Sequence, residues 1–233
     1  MENSKLVIAN PFSKMADRNE DVIKEGHFGA VLAGAGIGKT ALLVQLGLNA
    51  LLAGKNVLHI SLNDPVTKVC IYYKEVFGNI AGQNPSEGIA STWEALLPHR
   101  FIMTFKVEGF SVPKLEERLT DLIEQNIFSP NLIIIDGLPF DETVGPSLNA
   151  LKKMALDKKF SIWFTVTTDP GEEKQSQGLS PQIAPFEELF EVIIQLKPRE
   201  KETLVIPLKG GSDPENQPVL VFDPATLMLK ERK

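Results

Sequence analysis

The sequence is poor in cysteine, histidine and the larger aromatic residues. Its one cysteine, Cys70, stands in VTKVCIYY. A single thiol can build neither a disulfide framework nor a cysteine-based metal site, and the apolar neighbours of Cys70 point to a buried packing residue. The three histidines, His27, His59 and His99, are scattered and suggest no metal cluster. His59 falls inside an apolar strand pattern, which predicts packing rather than ligation. Long hydrophobic runs are also missing, because Lys, Asn or Gly interrupts each apolar stretch before it reaches membrane-spanning length. The opening residues, MENSKLVIANPFSKMADRNEDVIKEG, lack the continuous apolar segment of a secretory signal. The expectation is a cytoplasmic protein with no membrane partner. There is no excess of positive charge either. The formal net charge is -6, which argues against broad, non-specific nucleic-acid binding.

The 233 residues are 43% apolar and 23% charged, enough for one large domain with a substantial core. Residues 1–27 are polar and mixed and read as an arm or cover. From residue 28 to residue 233 the pattern is that of one regular domain. FGAVLA predicts a buried strand over 28–33, and the Ala- and Leu-rich stretch 39–53 predicts a helix. NVLHISL, 56–62, is a second strand. Asp64-Pro65 reads as a helix start, with Asp as cap and Pro in the first turn, and Gly78 reads as its stop. A helix over 86–97, a strand over 101–107 and a helix over 111–126 follow. The last carries Leu115, Leu119, Leu122 and Ile123 on one side. NLIIID, 131–136, has the unbroken apolar run of a central strand. A helix over 147–159 and a strand over 161–168 complete the alternation, the signature of a mostly parallel α/β sheet flanked by helices. The tail changes character. EVIIQLK, ETLVIPLK, PVLVFD and TLMLKE are short strand-like runs between charged or Gly/Pro turns, which predicts antiparallel C-terminal strands. The polar stretch 169–182 between core and tail reads as a loop.

The motif that carries chemistry is AGAGIGKT, residues 33–40. A Gly-rich loop ending in Gly-Lys-Ser/Thr, between a strand and a helix, is a phosphate cradle. Gly34, Gly36 and Gly38 let the backbone wrap with its N–H groups inward, and the helix N-terminus behind them favours an anion. Ala33, Gly34, Ala35, Gly36, Ile37, Gly38, Lys39 and Thr40 are therefore the candidate nucleotide-binding residues. Lys39 would reach the β- and γ-phosphates, and the Thr40 hydroxyl would ligate Mg²⁺. Ala33 replaces the usual first glycine with only a methyl group. A second metal-facing group is required at the end of an apolar strand, and LIIIDG offers Asp136.

With these motifs in place, VLAGAGIGKTALLVQLGLNALLAGKNVLHISLNDP, NLIIIDG, TVTTDPG and LVIPLKGGSDPENQPVLVFD together resemble the RecA-like P-loop ATPases, particularly the KaiC, RadA and replicative-helicase branch. The resemblance implies a RecA-like core, bound ATP and Mg²⁺, hydrolysis at subunit interfaces, and homo-oligomeric assembly. Carried over by position, it implies that Thr167 or Thr168 acts as a γ-phosphate sensor. It places the catalytic base at Asn63 or Asp64. Neither is Glu. Asn63 cannot accept a proton, and Asp64 is one methylene shorter than the family's residue, so weak or absent hydrolysis is expected. The branch often carries two basic residues, spaced by one, that reach a neighbour's site. In IPLKGG these positions hold Pro207 and Lys209, which leaves Lys209 as a partial trans finger.

Two rivals to a weak ATPase follow from the residues. The missing glutamate suits a non-hydrolysing ATP-dependent switch or assembly protein, which would need a protein partner. The loop alone permits a small-metabolite kinase, although the antiparallel tail and the lack of an Arg-rich lid argue against it. DNA translocation is disfavoured, because GLPFDETVGPS after Asp136 is short and acidic where a DNA-facing loop would be basic.

Overall fold

The computed structural model describes residues 22–83, 88–169, 178–200, 202–210 and 219–232. Residues 1–21 of the expected arm, most of the expected 169–182 loop and the GSDPENQP part of the tail lie outside the described residues.

The chain alternates strand and helix from its first element. Strand β1 (Phe28–Ala33) leads through the Gly-rich loop into α1 (Lys39–Leu52), followed by β2 (Val57–Ser61), α2 (Val66–Gln83), α3 (Ile89–Leu96), β3 (Arg100–Thr104), α4 (Val112–Glu124), β4 (Leu132–Asp136), α5 (Gly145–Lys158) and β5 (Ser161–Thr167). The tail supplies β6 (Phe190–Pro198), β7 (Thr203–Lys209), β8 (Leu220–Asp223) and β9 (Met228–Glu231). All nine strands form one sheet in the order β3-β2-β4-β5-β1-β6-β7-β8-β9. The first six in that order run parallel, and β7, β8 and β9 continue the sheet antiparallel. This is a RecA-like P-loop topology, as the alternation in sequence predicts. One detail differs. EVIIQLK, expected to open the antiparallel tail, pairs parallel with β1 and closes the parallel part of the sheet.

Strand alternation divides the core between the two faces. Val31, Ala33, Ile134 and Ile194 pack on the face covered by α1 and α2, while Ala30, Leu32, Ile133 and Ile135 pack on the face covered by α4 and α5. Strands β1 and β4 are buried along their whole length. Each such Ile or Leu contributes about 1.5–3 kcal/mol relative to exposure, which is why these apolar runs occupy the sheet centre. The ends of β1 and β4 are thereby held rigidly, and the candidate site hangs from those ends.

Three element boundaries depart from the sequence expectation. Helix α2 does not stop at Gly78 but continues to Gln83. The two glycines in its second half are exposed, whereas Ile80 and Ala81 are buried in the core. Packing of that apolar stripe outweighs the roughly 1 kcal/mol cost of a helical glycine. Strand β3 ends at Thr104, three residues early, where the chain leaves this outermost strand for a 3₁₀ turn over Val107–Gly109. Helix α3 covers only Ile89–Leu96, because Pro98 lies in a short 3₁₀ segment, Leu97–His99, that leads into β3. Cys70 is half-buried rather than buried, with Arg100 Nη2 3.8 Å from its Sγ. His59 is fully buried, as expected, with its Nδ1 3.3 Å from the Tyr73 hydroxyl.

Candidate functional site

The site forms where four parallel strands end side by side. Register places Ala33 of β1 beside Thr167 of β5, and Ser61 of β2 beside Asp136 of β4. Strand β5 lies between β1 and β4, so the loop and the strand-end carboxylate are separated by one strand. Helix α1 carries Lys39 and Thr40 across that gap.

Gly38, at the head of α1, has φ 109° and ψ 16°, a region open to glycine and costly for other residues. It turns the chain from loop to helix, so Lys39 and Thr40 fall in the first helical turn. The Lys39 Nζ folds back and donates to the carbonyls of Ala33 and Gly34, at 2.9 Å each. These two carbonyls hold the ammonium inside its own loop.

Thr40 Oγ1 donates to Asp136 Oδ2 at 2.7 Å. The other oxygen of Asp136 is held by a residue that sequence reasoning missed. Thr165 Oγ1 donates to Asp136 Oδ1 at 2.8 Å and accepts from the Gly137 N–H at 2.9 Å. Thr165 is nearly fully buried. A polar residue inside the apolar run SIWFTV, one full alternation before Thr167, was the available signal. Burial pushes the Asp136 carboxyl above its ordinary value, while the hydrogen bonds from Thr40 and Thr165 and the Lys39 charge pull it down. The nearby Asp64 carboxylate adds to the upward push.

Gly137 follows with φ 90°, and a Cβ there would collide with the Asn63 side chain. This packs the end of β2 against the end of β4. Asn63 and Asp64 are therefore brought to the site's edge. The Asp64 backbone N–H donates to Ser61 Oγ at 3.0 Å. Its carboxylate Oδ1 accepts from Lys68 Nζ at 2.8 Å, one helical turn on. Among the described residues the Asp64 carboxylate is engaged by Lys68 rather than by the first-turn amides of α2, so the helix-cap role read from Asp64-Pro65 is replaced by an ion pair.

Thr167 and Thr168 adjoin the start of the loop. Thr167 is exposed beside Ala33, and Thr168 is buried with its N–H donating to the Ala33 carbonyl at 3.1 Å. Lys209 is not brought to this site. It pairs with Ile193, which is level with Ala30 partway down β1, and its Nζ donates to the Glu187 carbonyl at 2.8 Å.

The same fold occurs in the ATPase domain of a protein of known structure. The two superpose with a TM-score of 0.63 over 91% of this chain and 86% of that one, at 17% sequence identity. At that identity the likeness is one of fold. No protein-family model and no curated protein matches the chain. Among the described residues no helix is long and apolar enough to cross a membrane.

The donor set at Thr40 and Asp136 consists of hard oxygens, a hydroxyl and a carboxylate in direct contact. Such a pair fits Mg²⁺, which takes one or two protein oxygens and fills its other positions with water and phosphate. No cluster of three or more His, Cys, Asp or Glu residues suited to a metal occurs among the described residues, and none is needed for Mg²⁺ of this kind.

Proposed function

We propose that this chain is an ATP-binding domain of the RecA-like ATPases, of the KaiC, RadA and replicative-helicase kind, and a weak Mg²⁺-dependent ATPase that couples nucleotide state to assembly or partner binding. The observation that carries this reading is the 2.7 Å contact between Thr40 Oγ1 and Asp136 Oδ2. It joins the last residue of the phosphate loop to the strand-end carboxylate, two groups 96 positions apart in sequence. Thr40 and Asp136 would hold Mg²⁺. That ion, when bound, would neutralise charge on the β- and γ-phosphates.

The chain's own residues account for the remaining steps. Lys39 exchanges the carbonyls of Ala33 and Gly34 for phosphate oxygens, so its loop opens as the ligand enters. The backbone of residues 33–40, ahead of α1, supplies N–H donors to the phosphates. Thr165 keeps Asp136 oriented and favours its ionised form. Asp64 is the acceptor for the proton of the attacking water, and it must first give up Lys68. Thr167 or Thr168 senses the γ-phosphate from the end of β5, and Lys209 serves a neighbouring subunit.

The Asp64–Lys68 pair also favours a second reading, a switch that binds ATP without hydrolysing it. With the carboxylate occupied and no glutamate beside it, ligand entry alone would change the loop and the strand ends around it. Titration calorimetry of ATP with Mg²⁺ into wild type and Lys39→Ala tests the shared premise. Wild-type binding that is lost in Lys39→Ala, with both proteins folded, is the expected result. Equal affinities would overturn the phosphate-loop assignment.

A further inference from the structure

The ring of Phe222 closes against the phosphate loop from a distant part of the chain. Phe222 lies in β8, separated from β1 in the sheet by β6 and β7, and is completely buried. A Cβ built on Gly38 would lie 2.5 Å from Phe222 Cε1 and 3.1 Å from Cζ. The ring edge thus occupies the space that any side chain at position 38 would need. Gly38 directly precedes Lys39 and Thr40, and its carbonyl accepts the Leu42 N–H at 3.0 Å, opening α1.

The β8–β9 hairpin that carries this ring is fastened twice more to the helices behind the loop. Gln45 Oε1, buried in α1, accepts from the Leu229 N–H at 3.0 Å. Asn79 Nδ2 of α2 donates to the Thr226 carbonyl at 2.7 Å. The hairpin is therefore docked by the ring packing against the loop and by one hydrogen bond to each of α1 and α2. A buried aromatic held in this way is a rigid wall, because interiors are close-packed and yield little.

We propose that Phe222 is a positioning residue for the phosphate loop, its ring holding Gly38 in the left-handed conformation that aims Lys39 and Thr40. It touches no reacting atom and acts through Gly38. The consequence for nucleotide affinity rests on the function proposed above, whereas the bracing of the loop does not.

The test compares wild type, Phe222→Ala, Phe222→Leu and Met228→Ala by two readouts. One is amide hydrogen exchange at Leu42 in nucleotide-free protein, and the other is calorimetric titration with ATP and Mg²⁺. Met228 is buried in the same hairpin, so its truncation costs packing there while leaving the ring and both hydrogen bonds that fasten the hairpin. Phe222→Ala should accelerate exchange at Leu42 and raise the Kd for ATP roughly tenfold, within the range by which bracing residues modulate a site. Phe222→Leu should fall between it and wild type. Met228→Ala, even with a comparable fall in Tm, should stay near wild type in both. Unchanged Leu42 exchange in Phe222→Ala would overturn the proposal. So would a Met228→Ala that loosens the loop as much for the same loss of Tm. Absence of ATP binding by wild type would refute the nucleotide reading, and the exchange data would still decide the bracing. If Phe222→Ala does not fold, Phe222→Leu against Met228→Ala decides on the same readouts.

Discussion

Thr165→Val removes two hydrogen bonds from the centre of the site while keeping the side-chain shape. The hydroxyl donates to the Asp136 carboxylate and accepts from the Gly137 N–H. A hydrogen bond to a charged group contributes about 1.5–3 kcal/mol, and an ordinary one about 1 kcal/mol. Gly137 is only half-buried, so water can take over part of the second bond. The expected loss is therefore about 2–3 kcal/mol at neutral pH, or roughly 4–12 °C in Tm for a chain of this size. The loss should also depend on pH. Burial raises the folded-state pKa of Asp136, so the stability tied to its protonation is fully present below the ordinary carboxylate range. It is lost as pH rises through the folded value. The Thr165 hydroxyl favours the ionised form, and Val removes that support. The deficit of the variant should be largest above the folded pKa and shrink towards acid. Urea denaturation of wild type, Thr165→Val and Thr165→Ser at about pH 7.5 and about pH 4 measures this. Serine should restore most of the loss. A deficit below about 0.5 kcal/mol, ordinary for a surface change, or one identical at both pH values, would refute the reasoning.

Three further outcomes are expected. Burial, aided by the Arg100 charge, pushes the His59 pKa from 6.5 down to about 3. The stability it contributes is present above pH 6.5 and lost as pH falls towards the folded value, at about 1.4 kcal/mol per pH unit. His59→Gln should flatten that acid limb in denaturation curves, and parallel curves would count against it. Asp64→Asn should slow single-turnover phosphate release while sparing ATP affinity, because it removes a proton acceptor and no phosphate contact; equal, measurable rates would leave Asp64 no part in catalysis. If Lys209 reaches a neighbour's nucleotide, sedimentation should show self-association strengthened by an ATP analogue in wild type and not in Lys209→Ala. A monomer under all conditions would remove that role.

Local spacing alone dictates much of this protein. The apolar runs of β1 and β4 require burial, the Gly-rich stretch between strand and helix requires a wrapped loop, and the strand–helix alternation requires a parallel sheet. Those features identify Lys39, Thr40 and Asp136 as candidates before any coordinate is known. Their contact, and the surroundings of Asp136, depend on strand order and register. Only the pairing of β4 with β5 brings Thr165 to Asp136, and the reading from sequence placed its sensor at the strand end, on Thr167 or Thr168. Glycine at position 78 reads locally as a helix stop, yet the burial of Ile80 and Ala81 carries α2 past it. Asp64 before Pro65 reads as a cap, yet its carboxylate is taken by Lys68. Phe222 gives no local sign of any link to Gly38. The two meet because three antiparallel strands fold the tail back over α1, and long-range contacts of that kind are set by packing between elements rather than by the residues within one.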